Sequence, residues 1–231
     1  MASRRTYGSY NDGCAAAHAL DLVGERWALI VVRELLLGPK RFVDLQRDVA
    51  GVGPGALTQR LQQLEAVGIV TRRTLPPPAR VLAYDLTDWG RGLEQVNTAL
   101  SAWASRSPKL PVHADMSPDS LVLAMRAHTR PVPVPRNMQV TIELIDSRAP
   151  GDSSVEYVAT LTTSGPEIEK GTTDTADARV QATTRAWKAL ILGRAPLEDH
   201  DEIEITGDSA AVHALLEGTR LELETPEPSS E

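Results

Sequence analysis

Between residues 54 and 67 the apolar positions Leu57, Leu61, Leu64 and Val67 recur at intervals of four, three and three. That period predicts a helix over Pro54–Val67 with one buried stripe. At about 100° per residue, Gly55, Thr58, Gln59 and Gln62 fall on the opposite side. Pro54 suits a first helical turn, where a missing N–H costs nothing, and Gly68 ends the helix. Upstream, residues 14–23 predict a short helix with Ala15, Ala19 and Leu22 on one side. Residues 25–37 predict a second, apolar nearly all round and therefore buried on several sides; Gly38-Pro39 stops it. Phe42–Asp48 predicts a third helix with Phe42, Leu45 and Val49 inward, and AGVGPGA turns the chain into the helix at Pro54. Beyond Gly68 the pattern changes period. Ile69–Leu75 and Val81–Leu86 alternate as strands, and PPPAR joins them. Thr87 then caps a last helix over roughly Asp88–Ser105, with Leu93, Val96, Leu100 and Trp103 spaced three, four and three.

Helix, Gly/Pro turn, helix and basic hairpin, in that order, are the layout of a winged helix-turn-helix. The face of Gly55, Thr58, Gln59 and Gln62 carries donors and acceptors without charge, as a helix hydrogen-bonding base edges in a major groove requires. Arg60 sits beside the buried stripe, so its stem should pack along the helix and its head meet a phosphate or an acidic neighbour. Arg41, at the head of the stretch, joins Pro54 among the DNA-facing candidates. Arg72, Arg73 and Arg80 are expected near the tip of a proline-stiffened loop, suited to phosphates or a minor groove. Leu93, Val96, Leu100 and Trp103 read as a dimer seam, because one wing domain offers few phosphate contacts and two half-sites double them.

The second half has its own pattern. Ser117–Thr129 predicts an amphipathic helix carrying Leu121, Leu123 and Met125. Val140, Ile142 and Leu144 alternate, as do Val155, Tyr157, Ala159 and Leu161, which predicts half-buried antiparallel strands. RPVPVPR (130–136) is an extended lead-in to the first of them. Ala178, Val180 and Ala182 suggest a further strand, Thr183–Leu192 a helix ended by Gly193, Glu202–Thr206 a short strand, and Ser209–Glu217 a final helix capped by Asp208. The fold class is therefore α+β: a winged helix-turn-helix, then an antiparallel sheet with helices. The predicted division is 1–107, a linker 108–116, 117–224 and a disordered tail 225–231. SRSPKLPVHADMSPDS, with three prolines and four serines, supplies the linker composition.

Composition sharpens this in one respect. The chain of 231 residues has a net charge of -7, which is unusual for a DNA binder. Residues 1–109, however, hold 14 Lys and Arg against 10 Asp and Glu, a balance of +4, and the remainder carries -11. The basic half fits a nucleic-acid partner and the acidic half should be kept off phosphates. No apolar run approaches the roughly 20 residues of a membrane span, the start lacks the apolar core of a signal peptide, and one cysteine allows no internal disulfide. A cytoplasmic protein without a membrane partner is expected. The five histidines are scattered. Cys14-x3-His18 has no second pair to complete a metal site, LEDHDEIE reads as a solvated turn, and no G-x-S-x-G, P-loop or G-x-G-x-x-G is present. Neither an enzyme nor a cofactor is expected.

The motifs LDLVGERWALIVVRELLLGPKRFVDL, G-x-L-T-Q-R-L-x-x-L-E-x-x-G-I-V, RR-x-LPPPA and Y-x-L-T-x-W-G resemble the HxlR-type winged helix-turn-helix regulators, relatives of the MarR class, over about residues 14–104. The resemblance implies a homodimeric transcription factor on a palindromic operator, often a repressor, with its recognition helix at Pro54–Val67 and its wing at Arg72–Arg80. Cys14 falls at the family's N-terminal cysteine, which in some members senses oxidants or electrophiles. Here Ala-Ala-Ala follows it, so a small buried packing residue is expected, with an intersubunit Cys14–Cys14 bridge left open. The order D-A-x-V-x-A-T, helix, LGRAPLE, I-x-I-x-GD, helix resembles the sterol-carrier-protein type of domain over about residues 116–222. That resemblance implies a small apolar effector, with Leu121, Met125, Trp187, Leu190 and Ile191 as candidate lining. Two other readings stay open: a constitutive DNA-binding protein whose second domain is structural, and a lipid or metabolite carrier with a vestigial wing domain.

Overall fold

The structure, a computed structural model, describes residues 9–78, 80–149, 154–193, 196–197, 200 and 202–221. The expected tail, part of LGRAPLE and position 79 of the wing loop lie outside the described residues. The chain divides into two units, 1–97 and 98–231. The first comprises α1 (Ala15–Val23), α2 (Ala28–Leu35), α3 (Phe42–Asp48), α4 (Pro54–Ala66), β1 (Val70–Thr74), β2 (Leu82–Leu86) and α5 (Asp88–Arg91). The division falls within α6 (Leu93–Ala104). No helix among the described residues is long and apolar enough to cross a membrane.

The stripe on α4 forms: Leu57, Leu61 and Leu64 are buried, as are Val31 and Leu35 of α2 and Leu45 of α3. Val67 is not part of it. It leaves the helical conformation at φ -93°, ψ 3°, and is 37% exposed. α2 starts at Ala28, three residues later than the apolar run suggests, because Trp27 lies in the left-handed region at φ 76°. The last helix is also interrupted, with α5 ending at Arg91 and α6 resuming after Gly92. The interruption follows from what anchors α5. The Thr87 hydroxyl donates to the Gly68 carbonyl at 2.7 Å and accepts from the Gly90 N–H at 3.0 Å. A Cβ at Gly90 would collide with the Ile69 carbonyl oxygen. The T-x-W-G sequence is thus a cap plus a site of close backbone approach.

β1 and β2 pair antiparallel, Val70 opposite Leu86 and Thr74 opposite Leu82. Lys40 adds a third rung through two backbone hydrogen bonds with Tyr84. Its ammonium is buried between Glu34 (2.8 Å) and Asp48 (2.7 Å), tying α2 and α3 to the edge of the hairpin.

The second unit contains α7 (Pro118–Ala127), β3 (Met138–Ile145), β4 (Ser154–Thr162), β5 (Gly165–Lys170), β6 (Ala178–Thr183), α8 (Thr184–Ile191), β7 (Glu204–Gly207) and α9 (Ser209–Thr219). The predicted Asp208 cap forms, accepting from Ala210 N, and Ser117 caps α7 by accepting from Ser120 N. Strand order is β5-β4-β3-β6-β7. The sheet is mixed, not antiparallel as expected: β3 and β6 run parallel, Val140 beside Ala178 and Leu144 beside Ala182. The parallel pair arises because β6 lies beside β3 and not next in a meander, the chain first passing through β5, a strand that the sequence pattern did not disclose. Only Gly165, Pro166 and Ile168 of GPEIEK are buried, so it shows no alternating run of large apolar residues. β4 and β5 each reverse the chain, so β5 runs the same way as β3, and the connection 171–177 crosses to the far side of β3 without a further reversal of strand direction. Ile142, Tyr157 and Val180 lie side by side on one face. The Tyr157 hydroxyl donates from that face to Asp119 of α7 at 2.5 Å.

Candidate nucleic-acid interface

α4 presents Gly55, Thr58, Gln59 and Gln62 to solvent, as the spacing predicts. Its N-cap, Gly53, supplies no side-chain cap, and nothing lies within 4 Å of the Cβ position at Gly55. The Thr58 hydroxyl donates to the Pro54 carbonyl at 2.8 Å. Its proton is thereby used within the helix, leaving a methyl group and acceptor lone pairs outward. Gln59 and Gln62 make no side-chain hydrogen bond to any described residue. Two unengaged amides three residues apart on one face can each pair with a base edge, the bidentate fit being to adenine.

The cations are arranged less freely. Arg41 forks onto Asp44 at 2.7 and 2.8 Å, holding that carboxyl below its usual range through the hydrogen bond. Arg60 packs along α4 with its head on Gln63 (2.6 Å) and Glu25 (3.5 Å). Arg72 pairs with Glu65 at 2.9 Å and lies over the Tyr84 ring. Arg73 shares the buried Asp85 with Arg91, at 2.9 and 2.7 Å. Arg72 and Arg73 therefore do not cluster at the wing tip. They are central residues of β1, opposite Tyr84 and Ala83, and consecutive strand residues point to opposite faces. Of the three wing arginines only Arg80 stands in the loop. Among the described lysines and arginines of the first unit, Arg80 and Arg26 are the two without an acidic partner.

Sequence reasoning missed Asp85 and Arg91. The available signal was an acid at an otherwise inward register of β2, which must find a cation when buried. It also missed the segment before α2. The Arg26 guanidinium lies 4.6 Å from the Trp27 ring centroid. The far edge of that ring comes within 3.8 Å of the Cβ position at Gly51, in the α3–α4 turn. The left-handed Trp27 backbone that permits this costs a non-glycine residue about 1–3 kcal/mol.

Cys14 is exposed, not a packing residue. It is the N-cap of α1, and the backbone N–H groups of Ala17 and Ala16 hold its thiol below the ordinary value. Along α6 no residue is buried: Val96 and Leu100 are 43% exposed and Trp103 71%. The five residues proposed for an effector pocket all lie in the core of the second unit, where the Trp187 indole N–H donates to Met125 Sδ at 3.4 Å.

This geometry is that of a helix-turn-helix protein, and comparison with known proteins agrees. The family described as HxlR-like helix-turn-helix matches residues 22–110. The HTH-type transcriptional regulator YodB of Bacillus subtilis is 34% identical over 88 residues, 38% of this chain and 79% of that protein. YvaP, an HTH-type transcriptional regulator of the same organism, is 32% identical over 87 residues, 38% of this chain and 81% of its own. Among solved structures, the reduced form of YodB covers 42% of this chain and 97% of its own at 31% identity, with a TM-score of 0.38. The chain belongs to the HxlR-like helix-turn-helix family, and YodB and YvaP are transcriptional regulators, not enzymes. Everything from α7 onward lies beyond the matched residues.

Proposed function

We propose that the chain acts as a homodimeric repressor on a palindromic operator, reading bases with Gly55, Thr58, Gln59 and Gln62 and contacting phosphates through its wing. The observation that carries the dimer is α6, a helix with no buried residue that nonetheless presents Val96, Leu100 and Trp103. Burying each such side chain stabilises by about 1.5–3 kcal/mol, and two-fold symmetry doubles the count. Two wing units on one duplex also supply the phosphate contacts that one unit lacks. The test is sedimentation of the full chain and of Val96→Glu/Leu100→Glu. The wild type should be a dimer and the variant a monomer with strongly weakened DNA binding. A wild-type monomer at micromolar concentration contradicts the proposal.

The second unit is proposed as a sterol-carrier-type module that takes a small apolar effector among Leu121, Met125, Trp187, Leu190 and Ile191. An effector changes operator affinity only if it binds the DNA-competent and incompetent states unequally. Equal operator affinity with and without a bound apolar ligand in a gel shift removes this part.

A further inference from the structure

We infer that Arg26 is a phosphate-contacting residue of the DNA interface, held in place by Trp27 beside the helix-turn-helix turn; the inference rests on the DNA-binding reading above. Three observations converge on it. First, ion pairing engages nearly all of the cationic surface. Arg41, Arg60, Arg72 and Arg73 each meet a carboxylate, and among the described lysines and arginines of the first unit Arg26 and Arg80 do not. Arg80 belongs to the wing, which the sequence already marks. Arg26 belongs to no motif read for DNA.

Second, the acid next to Arg26 is directed elsewhere. Glu25 reaches Arg60 on α4 at 3.5 Å, so the nearest carboxylate in sequence does not neutralise Arg26. Third, Arg26 is exposed yet positioned. Its guanidinium lies over the Trp27 ring, and Trp27, half-buried on a left-handed backbone, places the ring edge beside Gly51. Gly51 has φ +82° and stands three residues before Pro54, the first residue of the recognition helix. A stacked guanidinium loses little rotamer freedom on meeting a phosphate and keeps its outer N–H edge for bidentate contact. A rigid cation flanking the recognition helix, with no base-reading chemistry around it, is a backbone contact that fixes register and is indifferent to sequence.

Because the contact is sequence-independent, its test needs no known operator. Binding of the full chain to a labelled random-sequence duplex is titrated over a salt series for the wild type, Arg26→Gln, Arg26→Lys and Arg80→Gln, with circular dichroism confirming the fold. Arg26→Gln should lower the slope of log K against log salt by about 0.9 per subunit bound. Arg26→Lys, which keeps the charge and loses the planar stack, should keep the slope and weaken binding. If the wild type and Arg80→Gln behave as DNA binding predicts while Arg26→Gln retains the wild-type slope, the assignment of Arg26 is overturned and the DNA reading stands. If the wild type shows no salt-dependent binding, the DNA reading itself fails and this inference falls with it.

Discussion

Replacing Lys40 by Met removes one buried ammonium and little else. The thioether side chain approximates the apolar stem, and the two backbone hydrogen bonds to Tyr84 do not involve the side chain. Nζ lies 2.8 Å from Glu34 and 2.7 Å from Asp48, and the three side chains are 9%, 0% and 5% exposed. Orphaning a buried charge costs about 3–5 kcal/mol. Here each carboxylate keeps a guanidinium, Arg33 on Glu34 and Arg47 on Asp48, both at 2.8 Å. The loss is therefore nearer that of two charge-assisted hydrogen bonds at about 1.5 kcal/mol each, or about 3 kcal/mol. With two units in the chain, a single melting curve is not a clean readout. Native-state hydrogen exchange is. Protection of the Leu45, Val49 and Leu57 amides should fall by roughly two decades, while β3 amides of the second unit serve as reference.

The same variant has a pH signature. Burial raises the Asp48 carboxyl, but the hydrogen bond from Arg47 and the charge and hydrogen bond of Lys40 outweigh it and leave the group below its ordinary value of 3.8. The stability it contributes is present above that value and lost as pH falls through the lower, folded value. The difference between Lys40→Met and the wild type should narrow over that acid range. A loss under about 1 kcal/mol refutes the reasoning.

Gly90→Ala places a Cβ against the Ile69 carbonyl and should cost about 1–3 kcal/mol, read as lost native-state hydrogen-exchange protection of first-unit amides; unchanged protection rejects the close approach. Burial, helped by the charge of Arg130, lowers the pKa of His128 below 6.5. The unfolded chain then takes up a proton that the native one refuses, so the second unit should lose stability as pH drops from 6.5 toward the folded value. His128→Asn should flatten that slope, and a wild type insensitive to pH there contradicts it. Cys14, held low by the N–H groups of Ala17 and Ala16, should give an iodoacetamide rate that levels off at lower pH than an unshifted thiol with its ordinary value of 9.0; a pH–rate midpoint at or above that value shows otherwise.

Much of this was legible because the period of burial survives in single residues. Leu57, Leu61 and Leu64 fix α4 and leave Thr58, Gln59 and Gln62 outside by rotation alone. Thr87 and Asp208 announce their helices as caps. What was hidden depends on long-range partners. Nothing local to Trp27 reveals a left-handed backbone. Consecutive Arg72 and Arg73 read as a cluster until strand alternation and the acids at Glu65 and Asp85 separate them. β5 escaped because its two buried prolyl and glycyl positions carry no apolar signal, and the placement of β6 beside β3 depends on a crossover that no local pattern shows.

The central claim is that the amide face of α4 reads bases in a two-fold site. In vitro selection of the full chain against a random duplex library tests it most directly. The account predicts enrichment of an inverted repeat with half-sites about 10 base pairs apart, centre to centre, or a multiple of that spacing. It further predicts that Gln59→Ala/Gln62→Ala abolishes the enrichment while retaining salt-dependent binding to random duplex. Recovery of the same repeat by that double variant, or no repeat from the wild type, contradicts the account.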